Sequence, residues 1–217
     1  MDFVRGKVGA GAQPWKGAFD IMLASKYADL NRTPKPRAVV ECGSYSNPNH
    51  GCTDEREDAI AAYTDALAWY VTRDDRYARK AIQLNAWSAV IRDHTNSNAP
   101  LQTGWAGSTW PRAAEIITYT YTGSRPNSGR FATMLRHVCL PEIINGSNSN
   151  GNWELSMMEA AAGISVFLED KASYAMAMGK FPSRTAATVH LVSDGALPRT
   201  VPSWLCGGSL KLGLGAG

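Results

Sequence analysis

Three stretches hold most of the side chains that could do chemistry. CGSYSNPNHGC, residues 42–52, carries Tyr45, Asn47, Asn49 and His50. HTNSNAPLQTGW, residues 94–105, carries His94, Asn96, Asn98, Gln102 and Trp105, and Arg112 follows. GSNSNGNWE, residues 146–154, carries Asn148, Asn150, Asn152, Trp153 and Glu154. A turn needs one Asn or Gly and a helix N-cap one more, so the last stretch has amides to spare. Amides, aromatic rings, a histidine and an arginine suit a sugar-binding cleft. Tryptophan faces stack on the apolar face of a pyranose, and amides bond its hydroxyls or a carboxylate.

Such a set suits one reaction in particular. In a uronic-acid polymer the C5 proton is weakly acidic. Removing it requires that the adjacent carboxylate be neutralised, which amide, histidine and arginine donors do by preorganised hydrogen bonding. A Tyr or His abstracts the proton, and a Tyr or water protonates the leaving O4. A glycoside hydrolase would need two flanking carboxylates. Glu154 is the obvious acid here and has no evident partner. Each residue also has a plainer reading. The asparagines could be turn and cap residues, His94 could complement a helix dipole, Trp105 and Trp110 could be core, and Arg112 could pair with Glu115.

Helical periodicity dominates the elements that must position these groups. DEREDAIAAYTDALAWYVT repeats Ile60, Tyr63, Leu67 and Tyr70 at intervals of three and four, with acids in its first turn. DDRYARKAIQLNAWSAVIRDH predicts a second helix. TNSNAPLQTGWAGST reads as a polar loop, closed by Pro111 in the first turn of a third helix, WPRAAEIITYTYT. GRFATMLRHVCLPEIIN is a fourth, bent or ended by Pro141. NWELSMMEAAAGISVFLED is a fifth, and KASYAMAMGKFPSRTAATVHLV a sixth, interrupted near Pro182. A further helix is expected over 15–27. YVTRDDRYARKA and FLEDKASYAMAM each join two helices through an acidic turn followed by a Tyr, which suggests a repeating helix hairpin of about forty residues. Stacked hairpins place the Asn-rich loops on one rim. The expected fold is all-α, an incomplete α/α toroid of antiparallel helix hairpins over 1–200, with an irregular Gly-rich tail at 201–217.

The 217 residues suffice for one domain with a sizeable core, and 44% hydrophobic content marks it as globular. A net charge of +3 with interspersed signs does not point to nucleic acid. No apolar run reaches membrane-spanning length, and no signal-like segment opens the chain. Cys42 and Cys52 bracket a turn-rich loop. A disulfide there outweighs two free thiols or half a metal site, since no CxxC or HExxH accompanies them. It would stabilise the loop by ~2–3 kcal/mol. Cys139 falls inside a helical pattern and reads as a buried free thiol, whereas Cys206 lies in the tail. Sequons at Asn31 and Asn145 agree with secretion. No metal and no cofactor are expected.

ECGSYSNPNHGCTDEREDAIAAYTDALAWYVT, HTNSNAPLQTGWAGSTWPRAAEI and NGSNSNGNWELSMMEAAAGISVFLED together resemble the alginate-lyase-domain polysaccharide lyases of the secreted bacterial and fungal branch. The resemblance spans roughly residues 1–200. It implies an incomplete α/α toroid, β-elimination on an acidic polysaccharide such as alginate or glucuronan, and secretion. The expected partner is that polysaccharide, with no nucleic acid and no membrane, and the expected state is a monomer. In related lyases an Asn at the start of a helix helps neutralise the uronate carboxylate. Asn150 and Asn152 match, Asn150 the better, although Gly151 stands where relatives often have His. Trp105 and Arg112 would be subsite residues, and His94 a base or carboxylate contact. Asn98, Gln102, Trp153, Glu154 and Tyr45 complete the expected substrate-binding set. The family continues past SDGALP with helices bearing a catalytic Arg, His and Tyr, which the Gly-rich tail replaces. The expectation is a shortened relative with weakened turnover. The alternatives are a carbohydrate-binding helical module without catalysis and a toroidal glycoside hydrolase.

Overall fold

The structure is a computed structural model describing residues 1–126, 128–147, 151–189 and 195. Asn148, Asn150, Cys206 and the 201–217 tail lie outside the described residues. Two helices open the chain, α1 (Asp2–Gly9) and α2 (Trp15–Leu23), followed by strands β1 (Val39–Cys42) and β2 (Asn49–His50). Then come α3 (Cys52–Thr72), α4 (Asp75–Leu84), α5 (Trp87–Val90), β3 (Asp93–Thr95) and α6 (Ala99–Thr120). Next is α7 (Ser128–Met134), continued by a π-helical turn (Leu135–Cys139) into α8 (Leu140–Ile143). Last are α9 (Asn152–Phe167) and α10 (Lys171–Val189). Among the described residues, no helix is long and apolar enough to cross a membrane.

The long helices α3, α6 and α9 lie side by side and point the same way. Near the start of α6, Gln102 Nε2 donates to the Cys52 carbonyl (3.0 Å) and to Glu55 (2.7 Å) at the start of α3. At the other end the Trp69 indole donates to Thr120 Oγ1 at 3.0 Å. Gly104 backs onto the Ser156–Met157 backbone, and Gly107 onto Ala160 and Ile164 further along α9. Each long helix has a partner packed along it. Trp87, after α4, donates to Asp58 at 2.8 Å, and Phe131 of α7 meets Trp110 edge-on at 6.3 Å. Arg184, late in α10, reaches back to Glu154 at 3.8 Å.

Small residues allow this close layering. Ala59, Ala61, Ala62, Ala66 and Ala68 of α3 are wholly buried, as are Thr103 of α6 and Ala160 of α9. A Cβ on Gly104 would stand 3.2 Å from the Ser156 carbonyl carbon, so α6 and α9 approach through a glycine. Larger side chains such as Trp87, Trp110, Leu135 and Met157 fill the remaining space.

The fold departs from the expected all-α chain in specific places. A three-stranded sheet of order β2-β1-β3 pairs β1 antiparallel to β2 and parallel to β3, with Val40 opposite His94. The β-branched pair Val39-Val40 in Val39-Val40-Glu41-Cys42 suits a strand. The expected second helix ends at Leu84, and its last residues become α5 and β3. The expected polar loop at 95–109 is largely α6. Its first-turn proline is Pro100, and Pro111 sits inside the helix. Likewise Pro182 lies within α10, and Pro141 occupies the first turn of α8. The Cys42–Cys52 disulfide forms, with Cα atoms 5.9 Å apart, and Cys139 is a buried free thiol.

Candidate active site

The amino ends of α3, α6 and α9 gather at one end of the layer, where the sheet and the disulfide loop also lie. The expected stretches 42–52 and 94–105 are joined directly. Asn98 donates its backbone N–H to the Cys42 carbonyl (2.8 Å) and its Nδ2 to the Gly43 carbonyl (3.0 Å). Ser44 and Ser97 hydroxyls lie 3.1 Å apart. The described part of the third stretch begins α9, next to α6 through the Gly104–Ser156 contact.

Several expected site residues are locked inside this junction. The His94 side chain is fully buried, and its Nε2 lies 3.0 and 3.1 Å from the two Glu55 oxygens. Burial opposes charge on the imidazole, but the Glu55 carboxylate outweighs it and holds the His94 pKa above its ordinary value. His94 Nδ1 and Gln102 Oε1 are buried without a hydrogen-bond partner among the described residues. Gln102 spends its amide hydrogens on Glu55 and the Cys52 carbonyl. Glu154 is also buried, accepting from Ser147 N–H at 2.7 Å and facing Arg184. The expectation that His94, Gln102 and Glu154 face a polymer does not agree with this placement. All three instead fasten helix starts to neighbouring chain. Asn98 is half-buried and serves the disulfide loop.

Other expected residues reach solvent. Trp105 is 38% exposed, and the Arg56 guanidinium lies over its ring at 5.0 Å. This cation–π pair links α3 to α6. Arg112, seven residues beyond Trp105 and so on the same helical face, pairs with Glu159 of α9 rather than with Glu115. Asn152 is exposed at the first turn of α9, seven residues before Glu159 and again on that face. Gly151, not Asn152, occupies the N-cap, and the Asn152 amide makes no hydrogen bond among the described residues. Trp153 is half-buried beside it, and Tyr45 stands fully exposed at the tip of the disulfide loop. The result is a strip across three helices: Arg56 and Trp105, then Arg112 and Glu159, with Asn152 at its α9 end.

The strip is electrostatically suited to anions. Asn152 lies in the first turn of α9 and Arg56 just past that of α3, near the partially positive helix ends, while Arg112 stands mid-helix in α6 and brings its own charge. Three acids at that end are occupied: Glu55 by His94 and Gln102, Asp54 by Arg37 at 3.1 Å, and Glu154 by Ser147 and Arg184. Sequence reasoning missed Arg56 because it sits inside DEREDA, which reads as an acidic first turn. Its only early signal was its place one turn into a helix adjoining the cleft. Glu159 was missed because its partner lies on another helix.

Residues 20–201 of the 217 match the family described as alginate lyase. No curated protein and no solved structure shows a significant match. With a match over most of its length, the chain belongs to the alginate lyase family, whose members are polysaccharide lyases.

Proposed function

We propose that the protein cleaves a uronic-acid polymer of the alginate or glucuronan type by β-elimination, outside the cell. The observation that carries this reading is the exposed strip Arg56–Trp105–Arg112 with Asn152. It offers a ring to stack on a pyranose, two guanidinium groups, and an amide at the positive end of α9. Asn152, with Asn150 beside it in sequence, takes the substrate carboxylate and stabilises the charge that builds there when C5 loses its proton. Arg112 leaves Glu159 to meet a second carboxylate along the chain. Tyr63 is half-buried, seven residues past Arg56 on the same face of α3, and is our candidate for proton transfer. The parallel α3, α6 and α9, each with its partner packed along it, support our reading of an arc of an α/α toroid. Secretion agrees with the Cys42–Cys52 disulfide.

In this reading His94 is a positioning residue. It ties β3 to the first turn of α3 through Glu55 and so sets where Arg56 projects. Its burial favours one second reading, a carbohydrate-binding module without turnover. A hydrolase is disfavoured, since Glu154 is buried and cannot pair with Glu159 as the second carboxylate facing a substrate. The test is ultraviolet absorbance of the unsaturated uronate formed from alginate or glucuronan. Trp105→Ala and Asn152→Ala should each lower kcat/KM by about 10²-fold, the scale of losing one preorganised contact. Binding of alginate with no absorbing product would establish the second reading instead.

A further inference from the structure

A cavity of about 610 Å³ opens between α5 and α7. Its wall carries three basic side chains, Arg92, Arg130 and His137, and no acidic one. Its floor is Ile91, Met134 and Val138. Arg92 is already oriented: Nη1 donates to the Ile91 carbonyl at 2.8 Å and Nη2 to the Ala89 carbonyl at 2.9 Å. A guanidinium has five donor hydrogens, so the remainder are available to a ligand. Arg130 and His137 are exposed and have no hydrogen-bond or ion-pair partner among the described residues. They stand seven residues apart on one face, where α7 passes into the π-helical turn, a distortion that often accompanies binding sites. The neighbouring Arg136 points elsewhere, to Asp170 at 3.2 Å.

An apolar floor under two guanidinium groups and an imidazole selects an anion that also has an apolar face. An inorganic anion satisfies the cations alone, and a neutral sugar satisfies the floor alone. A pyranose bearing a carboxylate satisfies both, and the volume lies within the range that encloses small ligands. We propose that this cavity is a second uronate-binding site, which holds an acidic sugar residue away from the strip on α3, α6 and α9. The two sites share no lining residue, so this assignment stands apart from the lyase reading.

The experiment is an NMR titration of the whole chain with glucuronate, glucose and inorganic sulfate, following the amides of Thr133 and Val138. Glucuronate should shift both saturably, sulfate should bind at least tenfold more weakly, and glucose should leave them unmoved. Arg130→Gln combined with His137→Gln should weaken glucuronate at least tenfold, while Arg112→Ala should leave these shifts unchanged whatever it does to lyase activity. Both substituted side chains are exposed, and each single variant should give an intermediate loss. Equal binding of sulfate and glucuronate, no shift at these amides, or full retention in the double variant would overturn the proposal.

Discussion

Asp65→Asn should remove a pH dependence that one buried carboxyl imposes on the whole protein. Asp65 lies on α3, 1% exposed, and neither of its oxygens has a hydrogen-bond partner among the described residues. Burial pushes its pKa up from 3.8 to about 8, against weaker downward pulls from Lys80 and Arg32. Between those values the folded chain holds a proton that the unfolded chain has released. Stability therefore falls as pH rises through this window and is level above it. Each pH unit corresponds to about 1.4 kcal/mol, so the ceiling at pH 7 is ~4 kcal/mol. Relaxation and water entry reduce such penalties, and about half that figure is the expected effect. Asn has the same shape and no charge, and the cost of its own unpaired amide is the same at every pH. The slope, rather than the absolute stability, is thus the informative quantity. Urea unfolding at about pH 5, 6, 7 and 8 should show the wild type losing stability relative to Asp65→Asn at each step. Parallel curves for the two proteins would refute the reasoning.

Three further outcomes follow from the same geometry. Replacing Cys42 and Cys52 with Ser should cost about 3 kcal/mol, the chain-entropy value for so short a loop, and reductant should reproduce the loss in a thermal melt. Glu55→Gln leaves His94 buried without its counter-charge and should cost about 3 kcal/mol in acid. Because the folded His94 pKa is raised, the pair's contribution is complete below the unfolded value of 6.5 and is lost as pH rises through the folded one. The gap between Glu55→Gln and wild type in urea unfolding should therefore narrow at alkaline pH, and a constant gap would contradict the pairing. Gly104→Val drives a side chain into the Ser156 backbone and should cost about 1–3 kcal/mol by melting, with Gly104→Ala costing less.

How much of this was legible in the sequence varied with how local the cause was. The apolar interval of α3 and the Asn-rich entry to α9 are local signals, and both helices form where the pattern places them. The disulfide was legible because its cysteines bracket a turn-rich loop. The start of α6 was not, because Thr103, Gly104 and Gly107 resemble loop composition. They are small so that a neighbouring helix can approach, which only the tertiary structure reveals. Pro111 misled in the same way, since Pro100 eleven residues earlier was the real first-turn proline. In the candidate site, Trp105, Arg112 and Asn152 reach the surface as a binding role requires. His94 and Gln102 do not, since Glu55, 39 and 47 residues away in sequence, draws them inward. Arg56 was hidden among acids whose charges other residues neutralise.

The central claim is that the exposed strip on α3, α6 and α9 strips a proton from a uronate and leaves a double bond. The most direct measurement is ultraviolet absorbance during incubation of the purified chain with alginate and glucuronan, beside a neutral glucan. The account predicts absorbing product from at least one uronate polymer, none from the glucan, and a fall of about 10²-fold for Asn152→Ala. Product formation unchanged in Asn152→Ala and Trp105→Ala, or reducing ends released without absorbance, would contradict it.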